Sequence, residues 1–315
     1  MPAVHHFPRV VVPPRQTLYG VPSVFANKNV AVVTLRARHA TARGRRALQW
    51  TLLHCAAVPR VDPLAPFRLD GRVGIVTGAS SGLGARFARV LDAAGARIAI
   101  AARRANRLEQ LAEELHDPLV VPCDLTDPDA PRELVEATME RFGQIDVLVN
   151  NAGVSHIVAA LEQGVDDFRR VLEVNLVAPF ALAQHAARTM IDAGRGGVIV
   201  NVASIWGLVG VGQIPDAGYA ASKGGLVNLT RELAAQWARR NVRVNGLAPG
   251  WFRTEMTEGR MFGDESSERW MRSRTPMGRG GEEHELDGAL LFLASDASTF
   301  VTGQTIFVDG GWTAV

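Results

Sequence analysis

Residues 73–84 read Val-Gly-Ile-Val-Thr-Gly-Ala-Ser-Ser-Gly-Leu-Gly, a short apolar run that meets a loop with three glycines. A helical pattern begins at Gly84 and continues to Ala93. Glycines allow a tight turn and let backbone N–H groups approach a pyrophosphate, while the N-terminus of the following helix adds positive potential. The glycine spacing is Gly-x3-Gly-x-Gly, which differs from the common dinucleotide fingerprint. The stretch therefore predicts a phosphate-binding turn between a buried strand and a helix.

The rest of the chain alternates short apolar runs with longer amphipathic ones. Helical patterns include Gly84–Ala93 and Asp166–Ile191. Such alternation predicts an α/β fold with a parallel sheet covered by helices on both faces. The predicted strands are Val73–Thr77, Arg97–Ala101, Leu119–Pro122, Ile145–Asn150, Gly197–Ala203, Val242–Leu247 and Gln304–Val308.

Composition separates a leader from the body of the chain. Residues 1–61 hold nine of the 34 Lys/Arg residues and no acid, so 25 basic residues face 32 acidic ones in residues 62–315, a formal charge of −7. That charge argues against nucleic-acid binding by the folded part. We expect residues 1–65 to be a disordered arm, a leader added by a start codon placed too far upstream, or a transit peptide, and residues 66–315 to form one domain.

The spacing of Cys55 and Cys123 suggests neither a disulfide framework nor a metal site. We therefore expect the protein to be located in the reducing cytoplasm and to bind no metal. No apolar run reaches the length of a membrane span, so no membrane partner is expected.

Tyr219 and Lys223 are scarce residues that stand four positions apart. The chain has two tyrosines and two lysines, and Tyr219 is followed by Ala-Ala-Ser-Lys223. Residues at this spacing share one face of a helix, so the ammonium group can reach the phenol. An accidental pair on a solvated helix face is the alternative.

From about Leu69 to its last residue, the chain resembles the single-domain short-chain dehydrogenase/reductase family. The resemblance rests on an ordered set of motifs: Thr77-Gly78-x3-Gly82-x-Gly84, Asn150-Asn151-Ala152-Gly153, Asn175, Ser204, Tyr219-x3-Lys223 and Pro249-Gly250. It implies a Rossmann-type, doubly wound sheet of seven parallel strands. It also implies a nicotinamide cofactor and a catalytic group of Asn175, Ser204, Tyr219 and Lys223.

Hydride transfer at a carbinol carbon needs a matching proton transfer at oxygen, for which Tyr219 is the candidate acid/base. A nearby Lys223 ammonium should lower the pKa of the phenol from its usual value near 10 by about two to three units, helped by an oxidised nicotinamide. The resemblance gives Ser204 the role of orienting the substrate oxygen and Asn175 that of holding a relay water. Their alternatives are a strand-terminal cap and a packing amide.

Cofactor preference depends on the end of the second predicted strand, where an NAD site expects an acid but Arg103 and Arg104 stand. Arginine suits a 2′-phosphate, so NADP(H) is favoured over NAD(H); a solvated basic helix start is the alternative. By resemblance, Asp124 contacts the adenine and Thr254 the nicotinamide carboxamide; a helix N-cap is the alternative for Thr254. The predicted cofactor residues are Thr77, Gly78, Ser80, Ser81, Gly82, Leu83, Gly84, Arg103, Arg104, Asp124, Leu125, Asn151, Ala152, Gly153, Tyr219, Lys223, Pro249, Gly250 and Thr254.

Two loops, 205–218 and a lid over 251–276, should line an apolar substrate pocket. The spacing of 15 from Ser204 to Tyr219 indicates a longer first loop than in many relatives, and His156 is a weaker candidate for substrate contact than for a structural role. The C-terminal run resembles members that act on oxoacyl thioesters and on sugar acids, without separating them. We expect a small carbonyl or alcohol substrate and a homo-oligomer, either dimer or tetramer. The alternative function is a non-catalytic nucleotide-binding sensor or scaffold.

Overall fold

The structure is a computed structural model that describes residues 24–27, 30–33, 61–259 and 261–315. Two short strands, β1 (Val24–Asn27) and β2 (Val30–Val33), pair antiparallel. The rest of the predicted leader up to residue 60, including Cys55, lies outside the described residues. By its internal contacts the chain divides into two units, residues 1–62 and residues 63–315. The predicted domain boundary near residue 65 stays a prediction.

Seven parallel strands form the sheet of the second unit, in the order β5-β4-β3-β6-β7-β8-β9. All seven predicted strands are present, with boundaries shifted by at most two residues. The strands are β3 (Val73–Thr77), β4 (Arg97–Ala102), β5 (Leu119–Pro122), β6 (Val147–Asn150), β7 (Gly197–Val202), β8 (Val242–Pro249) and β9 (Thr305–Val308).

Helices cover both faces of this sheet. The helices of the described chain are α1 (Gly82–Ala93), α2 (Ala105–Ala112), α3 (Ala130–Phe142), α4 (Val165–Leu172), α5 (Ala178–Asp192), α6 (Ala217–Trp237), α8 (Asp287–Ala294) and, within the predicted lid, α7 (Glu265–Arg274). Phe87, Leu91 and Leu290 belong to the apolar layer on one face, while Leu134, Leu182 and Leu233 belong to the layer on the other. This double covering explains why the strands are almost continuously apolar.

The predicted helix over Asp166–Ile191 is interrupted. A π-helical turn over Glu173–Val177 separates α4 from α5, and the N–H of Ala178 donates to the carbonyl of Glu173, five residues earlier. Pro179 follows directly and has no N–H to donate, while its ring crowds the carbonyl four residues before it. A wider turn relieves that crowding, and it carries Asn175 at its centre.

The strand order reverses direction along the chain between β3 and β6, because β4 and β5 lie on one side and β6 to β9 on the other. In open α/β sheets this reversal leaves a crevice at the carboxyl ends of the two strands. Thr77 ends β3 and Asn150 ends β6, so both predicted nucleotide motifs follow strands that end at this crevice.

Candidate active site

The glycine loop after β3 is held by the motif after β6. Thr77 Oγ1 accepts hydrogen bonds from the backbone N–H groups of Asn151 (3.0 Å) and Ala152 (3.1 Å). The Asn151 amide donates to the Thr77 carbonyl at 2.9 Å and to the Gly78 carbonyl at 3.4 Å. Asn151 thus fixes the shape of the loop, a structural role that its predicted place beside the cofactor did not include.

Two glycines leave no space for a side chain. Gly78 has a φ of +68°, and an added Cβ would lie 2.8 Å from the Ala152 Cα. A Cβ on Gly84 would lie 2.3 Å from the Gly78 carbonyl oxygen. The loop therefore depends on both glycines for its close backbone packing.

The loop fits a dinucleotide phosphate group. Ser81 precedes α1 as its N-cap residue, yet its side chain makes no capping bond. The first-turn N–H groups of α1 are therefore left to an external acceptor, and an anion is the favoured one at a helix N-terminus. Ala79 and Ser80 connect this turn to β3, as predicted for a phosphate-binding turn.

The two predicted arginines differ in their surroundings. Arg104 donates to Ser80 Oγ (3.1 and 3.0 Å) and to Ser81 Oγ (2.6 Å), so its guanidinium lies on the glycine loop. Arg103 is exposed and interacts electrostatically with Asp124, whose carboxylate accepts from Thr126 N and Oγ1. These hydrogen bonds from Thr126 are the main cause that lowers the pKa of Asp124. Arg104 is therefore the arginine of the two that is seen bonded to the serines of the glycine loop.

Lys223 is 3% exposed, and its Nζ donates to the Val202 carbonyl at 2.7 Å. Burial lowers the pKa of this ammonium to about 8. The Nζ lies 5.5 Å from the centroid of the Tyr219 ring, so the structure brings the predicted pair together. The lysine therefore keeps a labile proton at neutral pH beside the phenol.

The pKa of Tyr219 is raised to about 12, mainly by burial; a hydrogen bond with Ser204 lowers it by less, and the charge of Asp216 raises it. The predicted decrease is therefore wrong for the protein groups alone, because removal of the phenolate from water is the largest cause of the shift and raises the pKa. The phenol is neutral at physiological pH and has a proton to donate.

Ser204 also acts as a cap at the end of its strand, the alternative role that the sequence suggested. Its Oγ accepts from the Trp206 N–H at 3.3 Å and caps the 3₁₀ turn Ile205–Gly207. The same hydroxyl interacts with Tyr219, so the cap role and the site role coexist.

The Asn175 side chain is fully buried in the π-helical turn. Its Oδ1 accepts from the Val154 N–H at 2.8 Å, and its Nδ2 donates to the Val154 carbonyl at 2.9 Å and to Ser222 Oγ at 3.1 Å. A Cβ on Gly153 would lie 3.4 Å from Asn175 Oδ1 and 3.6 Å from Lys223 Nζ. Asn175 therefore anchors the segment after β6 next to the lysine, and the relay-water role stays a prediction.

Asp216 belongs to this site but was missed from sequence. The buried carboxylate accepts from Tyr219 N (2.9 Å), Ser155 Oγ (2.7 Å) and His156 N (2.9 Å). An aspartate three residues before Tyr219 is an N-cap signature, and that signal could have identified it. The His156 ring is half exposed, with Nε2 3.9 Å from Asp167 Oδ2, so only its backbone is fixed by the site.

The lid begins directly after β8. Gly250 lies so close to Asp309 that a Cβ would stand 2.7 Å from its Cα, which fixes Pro249 and Gly250 beside the end of β9. Thr254 Oγ1 lies 3.2 Å from Thr257 Oγ1 in a turn. The next helix starts eleven residues later at Glu265, capped by Asp264, so the N-cap alternative for Thr254 is wrong.

A cluster of aromatic rings joins both substrate loops to Tyr219. Trp206 meets the Tyr219 ring edge-on at 5.4 Å between centroids and meets Trp251 at 6.4 Å. Trp270 and Trp312 extend the contacts from Trp251. Four of the six tryptophans thus gather here, and the surroundings of the phenol are apolar on that side.

Known proteins are similar to this chain over most of its length. A family model described as enoyl-(acyl carrier protein) reductase matches residues 78–313. Gluconate 5-dehydrogenase of Gluconobacter oxydans (strain 621H) is 42% identical over 253 residues, 78% of this chain and 96% of the relative. Cis-4-hydroxycyclohexanecarboxylate dehydrogenase of Sinomonas cyclohexanicum is 42% identical over 248 residues, 78% of this chain and 97% of the relative.

A crystal structure of a gluconate 5-dehydrogenase from Burkholderia cenocepacia J2315, in complex with NADP and tartrate, superposes with a TM-score of 0.76 at 39% identity. The superposition covers 81% of this chain and 100% of the Burkholderia chain. The chain belongs to the short-chain dehydrogenase/reductase family. It is an NAD(P)-dependent oxidoreductase that acts on CH–OH and C=O groups, and nothing in its relatives supports the sensor alternative. In the part of the chain that the structure describes, no helix is long and apolar enough to cross a bilayer.

Proposed function

We propose that the protein reduces a ketone, or oxidises the corresponding secondary alcohol, with Tyr219 as the proton donor or acceptor. The observation that supports this most is the arrangement of a neutral, partly buried phenol, the Ser204 hydroxyl and the Lys223 ammonium. A nicotinamide bound in the crevice supplies or takes up the hydride.

In the reduction, the carbonyl oxygen gains the proton of Tyr219 Oη as its carbon gains the hydride, and an alcohol forms. Ser204 hydrogen-bonds the same oxygen and polarises the C=O bond. The resulting phenolate is stabilised by the charge of Lys223, which returns a proton to it. The pKa of about 8 makes that return feasible near neutral pH.

NADP(H) is the proposed preferred coenzyme. Arg104 lies on the glycine loop through Ser80 and Ser81, at the end of β4 where an NAD site carries an acid. A guanidinium there pairs with a 2′-phosphate through charge-assisted hydrogen bonds. The NADP complex of the Burkholderia structure supports this preference by similarity.

The proposed substrate is a ketone or alcohol with an apolar ring next to the reacting carbon. Trp206 presents an aromatic wall beside Tyr219, and Val209, Val211 and Ile214 pack in the same cluster. Apolar surface favours a ring over a polyol, whose hydroxyl groups would lose hydrogen bonds with water. The hydroxycyclohexanecarboxylate dehydrogenase supports this class, whereas the gluconate 5-dehydrogenases represent the competing one.

The test is a coenzyme-oxidation assay on the full chain, followed by absorbance with NADPH and NADH. The panel contains ring ketones, oxoacyl thioesters and keto-sugar acids of matched size. We expect the highest kcat/KM with NADPH and a ring ketone. Faster turnover of keto-sugar acids would contradict the substrate class, and no turnover with any carbonyl would contradict the reductase proposal.

We also propose that the protein is a homo-oligomer. An open groove between α5 and α6 is lined by Leu176, Val177, Phe180 and Leu229, and Phe180 is 40% exposed. Exposed apolar surface on packed helices is typical of protein contacts. Light scattering should give a mass above 33.9 kDa for the wild type, and Phe180→Asp should lower it; a monomeric wild type would contradict the proposal.

A further inference from the structure

The lid carries an acid to the arginine that the coenzyme preference depends on. Glu255 Oε2 lies 2.9 Å from Arg104 NH1, and Glu255 Oε1 lies 3.8 Å from Arg107 NH1. The two partners Arg104 and Glu255 are 151 residues apart in sequence. The end of β4 lacks the acid of an NAD site, yet the fold brings a carboxylate there from the start of the lid.

This carboxylate lies against the glycine loop. Glu255 interacts with the Ser81 hydroxyl as well as with Arg104, and both partners lower its pKa, Arg104 most. Thr254, the preceding residue, packs against Gly82: a Cβ on that glycine would lie 3.4 Å from the Thr254 Cβ. Glu255 is therefore held at the N-terminus of α1, where an anionic ligand group is favoured.

Arg104 donates to Glu255 through NH1 and to the two serines through Nε and NH2. A 2′-phosphate approaching the same guanidinium finds four of its five N–H donors already bonded, and a negative charge beside it. Two anions at one cation repel each other unless one moves away. The ion pair is about half exposed, with Arg104 at 44% and Glu255 at 50%, so a ligand can displace the carboxylate at small cost.

We infer that Glu255 is an internal competitor for the 2′-phosphate of NADP(H) on Arg104, and that it thereby limits the preference for NADP(H) over NAD(H). The inference rests on the proposed role of Arg104. It assigns a specificity role to a lid residue whose recorded partners are Arg104, Arg107 and Ser81.

The test measures binding of two coenzyme fragments by isothermal titration calorimetry, so no turnover is needed. Adenosine 2′,5′-bisphosphate carries the 2′-phosphate, and 5′-AMP lacks it. Glu255→Gln should tighten the bisphosphate about two- to fivefold, the size expected for an exposed ion pair, and leave 5′-AMP within twofold. In an Arg104→Ala background, Glu255→Gln should change neither affinity, because the shared cation is gone.

Glu258→Gln is the matched control, because Glu258 lies in the same segment but pairs with Arg253 at 3.0 Å. It should leave both affinities unchanged, and an equal gain in this variant would assign the effect to net charge and overturn the inference. An unchanged or weaker bisphosphate affinity in Glu255→Gln would also overturn it. A weaker affinity for 5′-AMP in that variant would instead indicate that Glu255 binds the ribose, again against the inference.

The result for Arg104→Ala separates this inference from the proposed function. If Arg104→Ala loses affinity for the bisphosphate and Glu255→Gln has no effect, the competitor role of Glu255 is contradicted. The proposed NADP(H) preference then still stands. Unchanged bisphosphate affinity in Arg104→Ala would remove both. Thermal melts of each variant, with a transition within a few degrees of wild type, would show that the comparison uses folded protein.

Discussion

The two ends of the coenzyme crevice are built in opposite ways. At the catalytic end Lys223, Asn175 and Ser204 are 3%, 0% and 8% exposed, and each is held by backbone or short-range hydrogen bonds. At the other end Arg104 and Glu255 are about half exposed and held by each other and by two serines. Burial at the catalytic end shifts pKa values and fixes the positions of the side chains. Exposure at the other end allows the ion pair to exchange its partners.

This contrast predicts unequal costs of mutation. A buried ionisable group has no water to replace a lost partner, so its removal changes a reaction rate or a folding free energy by kilocalories. An exposed ion pair exchanges its partner for water and contributes about 1 kcal/mol or less. The expected effects of mutation therefore decrease from the catalytic end to the arginine end.

Tyr219→Phe should reduce kcat by about 10³-fold or more, since it removes the proton donor and keeps the ring that packs on Trp206. The Kd for NADPH, followed by tryptophan fluorescence, should stay within about threefold. Activity within tenfold of wild type would show that another group supplies the proton.

Lys223→Met should change how stability depends on pH. In the native protein the pKa is about 8, against 10.5 for an unperturbed lysine, so the unfolded chain binds more protons between these values. Wild-type stability therefore rises with pH in this window, and relative to Lys223→Met the gain should reach roughly 3 kcal/mol. Denaturant unfolding at pH 7.5 and pH 10.5 measures it.

The control for this lysine is Lys28→Met, which should follow the wild-type pH curve. The chain has only two lysines, so few other groups titrate in this range. Parallel curves for wild type and Lys223→Met would mean that the native ammonium has an ordinary pKa.

Asp216→Ala should destabilise the protein by about 2 kcal/mol, because it removes the cap of α6 and leaves the Ser155 hydroxyl without its acceptor. Asp216→Asn keeps some of the hydrogen bonds that the carboxylate accepts, and it removes the charge that raises the pKa of Tyr219. The alkaline limb of the pH–rate profile of Asp216→Asn should therefore move to lower pH. An unmoved profile with reduced stability would leave Asp216 a cap only.

Arg104→Ala should weaken NADPH about tenfold and NADH about twofold or less, since only NADPH has the 2′-phosphate. Arg103→Ala, which removes a charge that interacts with Asp124, should change either Kd by less than about threefold. Equal losses of both coenzymes in Arg104→Ala would contradict the 2′-phosphate role.

Local sequence signals were sufficient for much of this architecture. A short window of sequence is enough to recognise the apolar strand before Gly78 and the i,i+4 spacing of Tyr219 and Lys223. The structure contains both as predicted. The π-helical turn at Asn175 was missed because an apolar helical pattern continues through it, and only Pro179 marks the break.

Effects that arise from the tertiary structure were harder to predict. The high pKa of Tyr219 follows from burial by loops whose positions no local pattern gives, and the partner of Arg104 is 151 residues away. Asp216 had a local signature, but the reason it matters is a contact with Ser155, which is 61 residues earlier in the chain.

The rarity of lysine has a spectroscopic consequence. Lys223 is the only lysine in residues 61–315, so protein grown with 15N-lysine would carry one labelled amine in the folded domain and a second at Lys28. With a pKa of about 8, the nitrogen shift of Lys223 should move through its midpoint in ordinary buffers, below the 10.5 of an unperturbed lysine. One resonance would then report the proton on the active-site amine directly, and its movement on addition of coenzyme or ketone would show which partner the amine senses.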